Sequence, residues 1–96
     1  MKLSPEEIQS RLAELPGWAA EGGGFVRQFT LPSFADAIAF VTRLASEAEA
    51  ADHHPDLLVS YKRVTVSWST HGAGGITEKD VSGARTTDAV AERLCD

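Results

Sequence analysis

Ninety-six residues hold a single cysteine, no hydrophobic run of membrane length and fewer basic than acidic side chains. Each shortage removes a class of protein. One thiol, Cys95, cannot form an intrachain disulfide or share a metal with a second thiol, and its place beside the C-terminus reads as a fraying end. No apolar stretch approaches the roughly 20 residues that a membrane-spanning helix needs. After Met1-Lys2-Leu3 the chain turns polar at "SPEEIQSR", unlike a secretory leader. Nine Lys and Arg against 14 Asp and Glu leave a net charge of −5. That balance works against nucleic acid, whose binding rests on cations neutralising phosphates. Repeats, linkers and low-complexity segments are also missing. The expectation is a cytoplasmic protein with no nucleic-acid and no membrane partner.

What is present is an ordinary globular composition, 43% hydrophobic and 24% charged, which argues against disorder. Residues 1–96 are long enough for one small domain and one core. A core of this size without a disulfide is marginal, so association between subunits is expected to contribute stability.

The stretch "LSPEEIQSRLAEL" predicts a helix: Ser4 and Glu7 have capping-box spacing, Pro5 suits the first helical position, and Ile8, Leu12 and Leu15 share a face. Pro16-Gly17 ends it. "WAAEGGGFVRQFTL" predicts two short strands around Gly22-Gly23-Gly24, with Phe25, Phe29 and Leu31 alternating onto one side and Trp18 covering the strand end. Ser33 caps a second, alanine-rich helix with an expected stripe of Phe34, Ile38, Val41, Leu44 or Ala45, and Ala48. Pro55 forces its end. Leu57, Val59 and Tyr61, then Val64, Val66 and Trp68, predict a hairpin linked at Lys62-Arg63 or by a slightly longer loop. Thr77, with Asp80 three residues on, caps a last helix from 78 to about 93. Its apolar face of Val81, Ala84, Val90 and Leu94 is ragged, and Gly83 costs it about 1 kcal/mol relative to alanine.

All three histidines fall between Glu47 and Asp80. His53 and His54 straddle a helix end, and His71 follows the last strand, so the hairpin can gather all three. Glu49 and His53 are four apart, a spacing at which helical side chains meet. A carboxylate beside an imidazole favours the imidazolium, which can donate a proton, while His71 on the opposite wall could remain a base. A zinc site fits less well. Adjacent residues such as His53 and His54 project in different directions, and ligand pairs are usually spaced by two on a strand or four on a helix. "HGAGGITEKD" lacks the Lys-Ser/Thr ending of a phosphate-binding loop.

The stretch "EAADHHP" at 49–55, with Tyr61, "STH" at 69–71 and "GGITEKD" ending at Asp80, resembles the pterin-4a-carbinolamine dehydratases. Weaker similarity at "LPGW" and "FVRQFTLPSF" extends the resemblance over nearly the whole chain. The resemblance implies an α+β fold, a four-stranded antiparallel sheet with three helices packed on one face in the order αββαββα, the order already read from the pattern. It implies dimers or tetramers and a lyase that removes water from 4a-hydroxytetrahydrobiopterin, or a related 4a-hydroxytetrahydropterin, to give quinonoid dihydropterin. No metal and no organic cofactor is implied.

Carried over residue by residue, His53, His54 and His71 match the three active-site histidines. Asp52, His53 and His54 match one substrate-contacting segment, and Ser69, Thr70, His71 and Gly72 match the other. Glu49, Pro55, Asp80 and Trp18 match residues that line or support the pocket. The expected roles are proton transfer by His53 and His71, positioning by His54, and orientation of the imidazoles by Glu49 and Asp80. Three departures stand out: the last helix, "VSGARTTDAV", is poorer in apolar residues than the family leads one to expect, which bears on the oligomer interface; Trp68 occupies a strand position where a smaller aliphatic residue is common; and Lys62 stands where asparagine often begins the turn. The resemblance also implies recycling of the cofactor of aromatic amino acid hydroxylases. Two other functions remain compatible with the sequence: a dimerisation partner for a transcription regulator, and a dehydratase acting on a molybdopterin-related pterin.

Overall fold

Ser4 opens the first helix as the spacing predicts. Its hydroxyl accepts the Glu7 amide at 3.2 Å, while Glu7 Oε1 accepts the Ser4 amide at 2.8 Å, so two orphan donors are satisfied reciprocally. The computed structural model describes residues 2–94; the expectation for Cys95 lies outside them. The elements are α1 (Pro5–Leu12), β1 (Ala19–Glu21), β2 (Gly24–Thr30), α2 (Phe34–Ala51), β3 (Asp56–Ser60), β4 (Arg63–Trp68) and α3 (Glu78–Leu94), with a 3-10 turn at His71–Ala73. This is the expected αββαββα order. The strands form one antiparallel sheet in the order β1-β2-β4-β3. Among the described residues no helix is long and apolar enough to cross a membrane.

Alternation decides which face of the sheet is covered. Phe25 pairs with Trp68 and Phe29 with Val64 across β2 and β4. All four side chains are buried with Val66 against Phe40 and Leu44 of α2 and Val81 and Ala84 of α3. Each large apolar side chain fully withdrawn from water contributes about 1.5–3 kcal/mol, and this cluster joins both long helices to one side of the sheet. Arg27, the polar member of the inner row, lies over the Phe29 ring with its guanidinium carbon 4.6 Å from the centroid, and its Nη1 reaches Asp88 at 3.0 Å.

Two local expectations are corrected. Helix α2 buries Ala37, Phe40, Leu44 and Ala48, whereas Phe34 and Ile38 are 51% and 41% exposed. Apolar residues occur on both faces of α2, so periodicity alone does not choose the inner one. Contact with β2 does, through Phe40 packed 5.2 Å from Phe29 between ring centroids. In the hairpin, Tyr61 and Lys62 form the link, since Ser60 already pairs with Arg63. Val59 and Val64 face each other in that register, and sliding one arm by a single residue would turn its apolar set to solvent. Tyr61 therefore leaves the inner row, at φ 56° with its ring exposed.

Candidate active site

The end of α2 sets the first wall of the site. The helix stops at Ala51 because Asp52 turns into the left-handed region, φ 53° and ψ 40°. The His53 amide then donates back to the Ala48 carbonyl at 3.2 Å, the six-to-one bond of a Schellman-type end. This turn overturns the expected pairing of Glu49 with His53. Once the chain leaves the helix at Asp52, four-residue spacing no longer brings them together, and Glu49 bonds His54 instead. Both members of that pair are largely exposed, so it is a weak tether.

His53 is held by Asp80. Its Nε2 lies 2.6 Å from Asp80 Oδ1, with 15% of the His53 side chain and none of the Asp80 side chain exposed. The other carboxylate oxygen accepts the Thr70 hydroxyl at 2.9 Å and the Thr77 amide at 2.9 Å. One carboxylate thus joins the start of α3, the end of β4 and the end of α2. Asp80 occupies the third position of α3, and Thr77 is its cap: the Thr77 hydroxyl accepts the Lys79 amide at 3.2 Å. The cap spacing read from the sequence therefore also supplies the partner of His53. A carboxylate on Nε2 fixes the ring and leaves Nδ1 for other chemistry.

Sequence reasoning missed the support under the same ring. Trp68 lies 5.4 Å from His53 between centroids, with the planes tilted by 31°. Its Nε1 donates to the Thr87 hydroxyl at 2.9 Å, and that hydroxyl donates to the Gly83 carbonyl at 2.7 Å. Gly83 was the available signal. An added Cβ there would come within 2.4 Å of the indole, so the helical glycine is the space the tryptophan occupies.

Asp52, His53, His54, Ser69, Thr70, His71 and Gly72 line one open cleft of about 270 Å³. The structure therefore gathers all three imidazoles and both segments proposed to contact substrate. His71 begins the 3-10 turn after β4 and is exposed. A second, more enclosed hollow of about 200 Å³ lies behind His53, between α2 and α3, with Trp68 and Gly83 in its wall. Among the described residues no cluster of three or more His, Cys, Asp or Glu is arranged to hold a metal ion.

Trp18 is not part of this cleft. Its Nε1 donates to both Asp88 oxygens, at 3.0 and 3.1 Å, and its ring meets Phe29 edge-on at 6.1 Å. Phe29 pairs with Val64, at the opposite end of β4 from Trp68. Pro55 is half-buried between His54 and β3, and Glu49 reaches the cleft only through His54.

Three imidazoles in different settings and the Ser69 and Thr70 side chains thus meet in an open polar cleft at the end of an αββαββα sheet. The family model for pterin 4 alpha carbinolamine dehydratase matches residues 1–90. A Thermosynechococcus vestitus protein, named provisionally as a pterin-4-alpha-carbinolamine dehydratase, is 48% identical over 90 residues, 94% of this chain and 95% of its own. A crystal structure described as a transcriptional coactivator/pterin dehydratase from Brucella melitensis superposes with a TM-score of 0.90 at 35% identity, covering 95% of this chain and 99% of that one. A pterin dehydratase-like protein described as a RuBisCO assembly factor in the alpha-carboxysome shares the fold, with a TM-score of 0.68 at 23% identity over 78% of this chain and 89% of its own. The chain belongs to the pterin-4a-carbinolamine dehydratase family.

Proposed function

We propose that this protein dehydrates 4a-hydroxytetrahydropterins, the tetrahydrobiopterin form among them, to quinonoid dihydropterins through histidine acid–base catalysis. The observation that carries the reading is the convergence of His53, His54 and His71 on one cleft in a chain of this family. Hydroxide is a poor leaving group, so the carbon–oxygen bond at C4a breaks more readily when the oxygen is protonated as it departs. The neighbouring ring nitrogen gives up its proton to a base, the carbon–nitrogen double bond forms, and water leaves. The reaction consumes no external oxidant or reductant.

His53, oriented by Asp80, and His71 are the proton-transfer pair, and His54 positions the ring from the rim with Glu49 behind it. Asp52, Ser69, Thr70 and Gly72 supply the remaining contacts. Only after a separate two-electron reduction does the product rejoin the tetrahydropterin pool that aromatic amino acid hydroxylases oxidise. A stopped-flow absorbance experiment with enzymatically generated carbinolamine tests the activity. Quinonoid product should appear faster with the protein than in buffer, and equal rates would refute the reading.

A second role is favoured by one feature. Phe34 and Ile38 leave an apolar strip on the outer side of α2, as an assembly surface would. A homodimer or homotetramer that covers this strip is the proposed state. Sedimentation at micromolar concentration should find it, and a stable monomer would leave the strip for a foreign partner such as a transcription regulator.

A further inference from the structure

Thr70 is bonded toward both imidazoles assigned to proton transfer. Its hydroxyl oxygen lies 2.9 Å from Asp80 Oδ2 and 2.8 Å from the Thr77 hydroxyl. An ionised carboxylate only accepts, and a hydroxyl has one proton to give. The Thr70 proton therefore goes to Asp80 and the Thr77 proton to Thr70, while the Thr77 oxygen accepts the Lys79 amide at 3.2 Å. Both hydroxyls point along one chain that ends on a carboxylate with no exposed surface, whose other oxygen faces His53 Nε2 at 2.6 Å. The backbone of Thr70 serves the other histidine. Its amide donates to the Gly75 carbonyl at 3.2 Å and its carbonyl accepts the Ala73 amide at 3.0 Å, which closes the base of the turn that starts at His71.

We infer that Thr70 is a positioning residue for both histidines: its backbone seats His71, and its hydroxyl holds His53 through Asp80 and serves that carboxylate, not the substrate. The inference rests on the dehydratase reading for the reaction that the two rings perform. Thr70 lines the histidine cleft, but its hydroxyl has no second proton to offer a ligand there. Asp80 depends on that proton. Without it the Thr77 amide is the one donor left on Oδ2, and a restraint on the rotation of the carboxylate is lost. His53 follows, because Nε2 is the ring atom that Asp80 holds. Proton transfer suffers steeply from such movement, a misplacement of about 1 Å costing ~100-fold in rate. One residue thus fixes the spacing of the pair from both ends, the side chain on one ring and the main chain on the other.

Thr70→Val keeps the shape of the side chain and removes the hydroxyl, whereas Thr70→Ser keeps the hydroxyl. With enzymatically generated carbinolamine, kcat should fall about 10–100-fold in Thr70→Val and recover in Thr70→Ser. The calorimetric affinity for a stable 7,8-dihydropterin should stay nearly constant in both. On a His53→Ala background Thr70→Val should cost little more, because the ring it acts through is gone. A kcat retained by Thr70→Val would overturn the inference, and an affinity lost in its place would make the hydroxyl a substrate contact. Losses that multiply in the double variant would overturn the path through His53. Nitrogen NMR of the labelled imidazoles adds a readout independent of turnover: the His53 resonances should move in Thr70→Val and return in Thr70→Ser. Should valine prevent folding, Thr70→Ala carries the same comparison. If the unaltered protein forms quinonoid product no faster than buffer, the dehydratase reading fails and the spectrum alone decides the placement of His53. Resonances unmoved by loss of the hydroxyl then overturn it.

Discussion

Gly83 and Trp68 fit each other as space and filler: the helix carries no side chain where the indole lies flat against it. The indole cannot swing aside cheaply, because its Nε1 is bonded to Thr87 and its face supports His53. Gly83→Ala should therefore destabilise the fold by about 2 kcal/mol, overpacking outweighing the roughly 1 kcal/mol of helix propensity gained. The same change in a Trp68→Leu background should stabilise. Chemical denaturation of the four proteins in this double-mutant cycle measures the coupling, and additive effects would refute it.

The contrast shows which parts of the molecule were legible in the chain. The caps at Ser4, Ser33 and Thr77 were, because a cap is made by residues two or three apart. Strand faces were legible because alternation has only two solutions. The inner face of α2 was not, since Phe34 and Ile38 are as apolar as Phe40 and Leu44. The partner of His53 was hidden for two reasons. A left-handed Asp52 broke the Glu49 spacing without a glycine to announce it. The true partner, Asp80, is 27 residues away. Gly83 reads as a helix defect in the sequence alone, and in the fold it is the space that Trp68 occupies. The helix end, the hairpin and the resemblance all pointed to one histidine cleft, but the pairing within it is visible only in the fold.

Arg11 of α1 and Glu78 at the start of α3 form a surface pair, with Nε to Oε1 at 3.3 Å. The hydrogen bond from Arg11, and then its charge, hold the Glu78 carboxyl below its ordinary value of 4.5. A carboxylate with a lowered folded-state pKa stabilises above its unfolded value and loses that contribution as pH falls through the folded one. Arg11→Gln should therefore lower the melting temperature slightly at pH 7 and not at all in strong acid. Thermal scans from pH 7 to about pH 2 check this: the effect should shrink as pH falls through the lowered Glu78 value, and an effect undiminished at the acid end would contradict it.

Separate roles for the histidines predict separate kinetic losses. His71→Ala and His53→Ala should lower kcat by about 10²–10⁴, the usual reach of general acid–base catalysis, with small changes in pterin affinity. His54→Ala, at the exposed rim, should weaken binding more than it slows turnover. Stopped-flow turnover paired with calorimetric binding of a dihydropterin separates the two quantities. Parallel losses in all three variants would mean that the cleft binds without dividing the proton work.

Asp80→Asn isolates what the buried carboxylate does for His53. The amide oxygen can take over the hydrogen bonds from Thr70 and Thr77, so the capped start of α3 should survive. The amide nitrogen then replaces the oxygen that faces Nε2 and, as a donor, requires Nε2 to accept. The ring is forced into the tautomer with its hydrogen on Nδ1, the opposite of the one a carboxylate selects. Turnover should fall by about 10–100-fold, as for other oriented imidazoles that lose their partner, while the melting temperature changes little. Nitrogen NMR of the labelled imidazole reads the tautomer directly. A silent substitution in that spectrum, with activity lost, would show that Asp80 acts through packing rather than through the proton on His53.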